Sequence, residues 1–353
     1  MGRLQPSAGQ PPASFRRAAR AKRAKTTLNT LIPSLLAAHP RARRGIEAAE
    51  LILAPPRAPP PPPTSSSSPP RLALQVADTL RAARALTTRI PGTTTPRIAI
   101  LNMASPLHPG GGFLTGASSQ EESLCMRTTL LPSLDDAHYR LPDLGAIYTP
   151  DVLVFREGEE DVLEKRDRWF VDVVTAAMPR NPETKQDEDG FAAYSDPKDR
   201  ELIVAKMRMV MRLCQSRGVD GVILGAWGCG AYGNPVGEVA RAWRKVLLPR
   251  AGGKKKPETW DGISEVVLAI KDAGMAAAFS EAFGKGLEEE DATGQKDDEE
   301  EDESEEDQEL SSLRTRIDQL RLRVHKAPSL QLKQGLAAVL AGLESQLPEN
   351  TPC

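Results

Sequence analysis

Between Arg71 and Phe283, short apolar runs alternate with longer stretches in which apolar residues recur every three or four positions. Strand side chains repeat about every 2 residues and helix side chains about every 3.6, so the runs predict buried strands and the stretches amphipathic helices. Helices are expected over Leu72–Leu86, Glu121–Leu130, Asp199–Gln215, Val236–Leu247 and Met275–Phe283, and strands over Ile98–Leu101, Gly145–Phe155, Trp169–Thr175, Gly221–Leu224 and Ser264–Ile270. Such alternation predicts an α/β fold, a mostly parallel or mixed sheet covered by helices on both faces.

The flanks read differently. Residues 1–13 have no period and are expected to be disordered. From Ser14 a helix carries Arg16, Arg17, Arg20, Lys22, Arg23 and Lys25 and then an apolar face of Leu28, Leu31, Ile32, Leu35 and Leu36, with Pro33 ending or kinking it. A second short helix is expected from Arg41 to Leu53, docking on the main domain. The basic cluster fits a nuclear-localisation or nucleic-acid contact and equally a solvated helix face. Residues 55–70 are a Pro/Ser linker, a surface spacer or a ligand for an SH3 or WW domain. Beyond the core, Leu310, Leu313, Ile317, Leu320 and Val324 fall at helical spacing, and Leu330–Leu347 makes a second amphipathic helix, so residues 310–347 suggest a hairpin or coiled-coil tail that self-associates or folds on the chain itself.

Composition sharpens these limits. The 353 residues are 40% hydrophobic but only 4% aromatic, and the 30 prolines cluster, which fits one domain at 71–287 with a helical extension at 14–54 and added tails. Of the 22 residues from Glu288 to Glu309, 15 are acidic, while the whole chain carries only −2, so the remainder is basic. Residues 288–309 are therefore expected to be disordered, a solubilising tail or a site for a basic protein partner. Four cysteines without paired spacing imply a reducing compartment, with no metal and no disulfide framework. No run approaches the ~20 apolar residues of a membrane span, and no signal-peptide core is present, so a soluble intracellular protein of nucleus or cytoplasm is expected, with no membrane partner.

Chemistry concentrates in Leu101–Leu124, at the carboxyl end of a strand, where open α/β sheets bind ligands. Gly110, Gly111 and Gly112 can take φ > 0 and offer backbone N–H groups to an anionic nucleotide. Seven residues later Gln120, Glu121 and Glu122 bring two adjacent carboxylates toward the same bed, where burial and like charge can raise a pKa to suit a general acid. A second loop, Gly228-Cys229-Gly230-Ala231-Tyr232, follows a strand and precedes a helix, an arrangement suited to a diphosphate, with Tyr232 over a ribose or simply packed. No histidine stands near Cys229 in sequence to activate it; His108, just before the glycines, reads as a ligand contact or an incidental loop histidine, and Asp151 and Asp172 as strand-end or satisfied polar groups.

GGG, seven residues and QEE, with Asn102-Met103-Ala104-Ser105 and Pro109, resembles the signature of microbial-type poly(ADP-ribose) glycohydrolases. Gly225–Pro235 resembles that family's second ligand loop and Val171–Pro179 its core strand; the closeness of these blocks suggests a fungal-type member with added tails. The resemblance spans about Arg71 to Gly284. It implies a three-layer αβα macrodomain with a mixed central sheet, an N-terminal helical extension and a C-terminal helical tail. It further implies hydrolysis of ribose–ribose bonds from chain ends, poly(ADP-ribose) or ADP-ribosylated proteins as partners, and no cofactor. By resemblance Glu122 is the catalytic acid, Glu121 and Asn102 position ribose hydroxyls, and Gly110–Gly112, Gln120 and Gly228–Tyr232 bind substrate. The rivals are an ADP-ribose reader without catalysis, a mono-ADP-ribosyl hydrolase, and a scaffold acting through its tails.

Overall fold

The computed structural model describes residues 12–53, 69–90, 95–158, 161–187, 191–248, 258–290 and 330–344. Residues 17–295 form one compact unit, and the chain ends, 1–16 with 296–353, form another, whose described part includes the helix α9 (Leu330–Glu344). The expected disordered start, Pro/Ser linker, bulk of the acidic stretch and first tail helix lie outside the described residues. Among the described residues no helix is long and apolar enough to cross a membrane.

The larger unit is built on an eight-stranded sheet: β1 (Glu50–Leu53), β2 (Arg71–Gln75), β3 (Ile98–Met103), β4 (Gly145–Val154), β5 (Trp169–Ala176), β8 (Gly221–Leu224), β9 (Glu265–Ala269) and β10 (Glu288–Glu290). Its spatial order is β1-β4-β5-β3-β8-β9-β2-β10. From β5 to β10 every pairing is parallel; β4 runs antiparallel to both β5 and β1, so the sheet is mixed. A separate hairpin joins β6 (Thr184–Gln186) and β7 (Ala192–Tyr194). The central strands are apolar on both faces because helices cover both, as parallel sheets require. One face buries Met207, Val210, Val239, Trp243 and Phe279 of α6 (Pro197–Ser216), α7 (Val236–Leu247) and α8 (Ala273–Phe283). The other buries Leu80, Ala83, Leu86 and Leu124 of α4 (Thr79–Arg89) and α5 (Gln120–Arg127). The result is the expected αβα sandwich.

Three expectations are corrected, all near or at sheet edges. Leu72–Leu86 is not one helix: Asp78 caps α4 by accepting from Arg81 N (2.9 Å), so the helix cannot begin earlier, and the apolar Leu72-Ala73-Leu74 run is buried as β2 beside β9. Arg41–Leu53 likewise divides, α3 (Pro40–Glu47) ending before β1, which adds to the edge of β4. Glu288–Glu290 forms a strand rather than the head of a disordered tail. Arg71 and Arg89, which pair with Glu288, Glu290 and Glu265, neutralise its charge.

The N-terminal extension runs as α1 (Ala13–Thr26), a π-helical turn (Thr27–Leu31) and α2 (Ile32–Ala38). Pro33 sits in the first turn of α2, where its missing N–H costs nothing, and the wider turn before it absorbs the change of pitch. Ile32, Leu35 and Ala42 pack on Leu153 and Phe155, while Ala24 packs on Phe113, Cys125 and Met126.

Candidate active site

Three neighbouring parallel strands, β5, β3 and β8, send their carboxyl-end loops to one place. The loop after β3 carries the glycines and ends at Ser119, the residue before α5, whose first turn holds Glu121 and Glu122. Acids there face the positive end of the helix dipole. Both are nonetheless buried, 3% and 8% exposed.

Their partners set them apart. Glu121 accepts from Ser105 N through Oε2 (2.7 Å) and from Asn102 Nδ2 through Oε1 (3.3 Å). Glu122 Oε1 accepts from Gly112 N (2.6 Å). Burial, and then the adjacent Glu122 charge, push the Glu121 carboxyl up to about 8, against the lowering pull of the Ser105, Asn102 and Gly110 donors. Burial and the neighbouring like charge therefore favour a protonated Glu121. That proton is what an acid catalyst needs.

The glycines serve the acids more directly than expected. Gly110 N–H supports Glu121, Gly111 N donates to His108 O (3.0 Å) and Gly112 N to Glu122, so all three amides are turned to protein acceptors and not laid open as a phosphate bed. The carboxylates arrive ten residues downstream and take the Gly110 and Gly112 donors. Gly111, at φ +57°, is also the point of closest approach: a Cβ would lie 2.5 Å from Glu122 Oε1 and 3.0 Å from Glu121 Oε2.

Gln120 and Asn102 prove to be framework. Gln120 accepts from Met103 N (2.9 Å) and donates to Leu101 O (2.8 Å) and Thr79 Oγ1 (3.2 Å), clipping α5 to the end of β3. Asn102 is fully buried and braces Glu121 from beneath while also donating to Thr175 Oγ1 on β5 (3.3 Å). The Gln120 amide, expected to bind substrate, is held by these backbone partners, while Asn102, expected to position a ribose hydroxyl, keeps its Oδ1 without a partner among the described residues.

The second loop closes over this floor. Gly228 adopts φ +77°, with Asn234 Nδ2 and Met178 occupying the space a Cβ would need. Gly230 and Ala231 are exposed at its tip, and among the described residues their N–H groups have no acceptor, as a diphosphate cradle requires. Pro235 is the residue before α7 and not inside it; the first turn of α7 already holds buried Glu238, which Arg200 neutralises (2.6 Å), so the anion-binding capacity lies in the loop amides more than in the helix dipole. Tyr232 is half-buried with its hydroxyl 3.5 Å from Ala104 O, and burial pushes it up to about 12. Its ring has the Arg180 guanidinium 5.1 Å from the centroid. Cys229 is half-buried and its thiol is pushed up to about 12 by burial, which disfavours a nucleophilic thiolate. Asp172 is a satisfied structural group, accepting from Tyr148 Oη, Arg97 and Asp151 N.

Sequence reasoning missed Asn234 and Tyr139. Asn234 Nδ2 donates to Pro179 O (2.8 Å) and Gly228 O (3.0 Å) and its Oδ1 accepts from Tyr194 Oη (2.8 Å), fastening the β8 loop to the β5 loop. Its place in a Gly-Asn-Pro turn concealed that function. Tyr139 is raised by burial and then by the Glu121 charge, and its buried hydroxyl has no protein partner among the described residues. It comes from an irregular stretch with no periodic signal.

Residues 42–157 match the model of the microbial-type PARG catalytic domain. No curated protein matches by sequence. Among solved structures, poly(ADP-ribose) glycohydrolase from Thermomonospora curvata is 26% identical, with 76% of this chain and 100% of that one covered and a TM-score of 0.60. The Deinococcus radiodurans glycohydrolase, in complex with ADP-ribose, is 25% identical over 69% of this chain and 97% of its own, with a TM-score of 0.53. The T. curvata enzyme bound to the inhibitor ADP-HPD, 24% identical over 76% and 100%, with a TM-score of 0.58, shares the fold. These relatives are bacterial, so they support the microbial-type domain and not a fungal placement. With the acid pair on the β3–α5 junction inside the matched residues, the chain carries a microbial-type PARG catalytic domain and is a glycosidase of the poly(ADP-ribose) glycohydrolase kind.

Proposed function

We propose that the chain releases ADP-ribose from the ends of poly(ADP-ribose), with Glu122 as the general acid. The observation that carries this is the buried Glu121–Glu122 pair under the glycine loop. Glu121 has both oxygens committed to β3-side donors and acts as the fixed member; Glu122, steadied through Oε1 by Gly112 N–H, is the member that delivers the proton. It protonates the departing ribose oxygen as oxocarbenium character develops, then draws a proton from the attacking water. The Gly228–Tyr232 loop takes the diphosphate, and Tyr232 orients the adjoining ribose. The ADP-ribose complex of the D. radiodurans relative supports this ligand class.

We further read the chain as a fungal-type member, a reading supported by the closeness of the motif blocks and the added tails alone. The acidic stretch is read as a contact for a basic protein, the terminal helices as a self-association element, and the basic helix as a nuclear-localisation signal or nucleic-acid contact, or a solvated face.

The test is purified protein with poly(ADP-ribose) and, separately, a mono-ADP-ribosylated protein, each with wild type and Glu122→Gln. Release from the polymer that Glu122→Gln abolishes is expected. Release only from the mono-modified protein makes the chain a mono-ADP-ribosyl hydrolase, and binding without release makes it a reader.

A further inference from the structure

Helix α1 lies outside the matched residues 42–157, yet it grips the glycine loop. Arg17 Nε donates to Thr115 O (3.0 Å), and Arg20 Nε, on a side chain drawn into the interior, donates to Gly116 O (2.9 Å). Gly116 sits at φ +80°, and a Cβ there would meet Arg17 O at 2.1 Å, so the helix backbone rests directly on the turn. This is the turn that aims Gly112: Gly112 O accepts from Thr115 N (3.0 Å) and Ala117 N (3.1 Å), while Gly112 N donates to Glu122 Oε1.

Burying a guanidinium is costly unless its hydrogen bonds fix something, and a charge-assisted bond to a carbonyl fixes that carbonyl firmly. Anchoring α1 does not need it, since Ala24 of α1 and Thr27 of the π-helical turn that follows are already fully buried. We propose that Arg20 is a positioning residue for the acid pair: by holding Gly116 O it keeps the Gly112–Ala117 turn in the shape that presents Gly112 N–H to Glu122. The N-terminal helix is then part of the catalytic apparatus and not an appendage. The inference rests on the glycohydrolase reading above.

The test uses the full chain with Arg20→Met, which keeps the aliphatic stem, and Arg20→Lys, which restores a cation. Two quantities are read: kcat and KM on poly(ADP-ribose), and amide hydrogen exchange of the turn. Arg20→Met is expected to lower kcat by about 10- to 100-fold with KM within about twofold, to speed exchange at Gly112–Ala117 while β3 and β5 stay protected, and to be partly rescued in Arg20→Lys. A fall in melting temperature alone, with wild-type kcat and a protected turn, overturns the proposal. If Arg20→Met does not fold, Arg17→Met is read for the same exchange, and an unaltered turn there overturns it. A wild-type chain that releases no ADP-ribose refutes the enzyme reading instead, and the exchange of the turn still decides the role of Arg20.

Discussion

Glu121 shows how much one buried carboxyl can tie together. In the folded chain it titrates near 8, above its ordinary 4.5, so between those values the folded state holds a proton that the unfolded chain releases. Its contribution to stability is full below pH 4.5 and is lost as pH rises through about 8. Melting temperature is therefore expected to fall between about pH 6 and about pH 9 in wild type and to fall less in Glu121→Gln; parallel curves would contradict the burial-driven shift. Gly111→Ala tests the neighbouring constraint. A methyl group 2.5 Å from Glu122 Oε1, on a backbone at φ +57°, must displace the carboxylate, and a loss in kcat of at least about 10-fold is expected from steady-state kinetics. The acids and the glycines were legible as residue types at a fixed spacing. Their mutual hydrogen bonding was not, because a pattern of letters does not say which acceptor an N–H will find: the Gly110 and Gly112 amides meet the carboxylates and the Gly111 amide meets His108 O.

At the scale of elements, Asn234 joins two strand-end loops. Asn234→Ala leaves the Gly228 and Pro179 carbonyls without their donor, at a cost of about 1–3 kcal/mol. Since the acid pair sits on another element, the expected result is a KM for polymer raised about 10-fold or more with kcat little changed; a loss confined to kcat would show that the loop acts on the acids instead. Elements with strong periodicity were read well: α7 runs over the expected Val236–Leu247, and β3, β5 and β8 lie where their apolar runs place them. The failures, β1, β2 and β10, share a cause. Short strands near or at a sheet edge owe their existence to a distant partner, and local sequence carries no record of that partner.

For the whole molecule, β10 closes one edge of the sheet by charge and not by apolar packing. Salt-bridging and hydrogen bonds from Gln75, Arg89 and Arg71 overcome the burial penalty and hold Glu290 down at about 2. Its contribution is present above pH 4.5 and is lost as pH falls through about 2. Glu290→Gln is expected to lower the melting temperature at neutral pH, by less in high salt than in low, because the network is partly exposed; a salt-independent loss would point to packing. The opposite edge is closed by the N-terminal extension, which also reaches the catalytic turn. Helices α1 and α2 of the extension and the β10 edge lie beyond the matched residues 42–157, so the working unit is larger than the family match alone.

The central claim, that Glu122 is the proton donor to the leaving ribose, is tested most directly by comparing Glu122→Gln with wild type on two substrates. One is poly(ADP-ribose), and the other is an ADP-ribose glycoside whose nitrophenol leaving group needs little protonation. A kcat loss of about 100-fold or more on the polymer with a much smaller loss on the nitrophenyl glycoside is the expected result. Equal losses on both, or none on either, would contradict it.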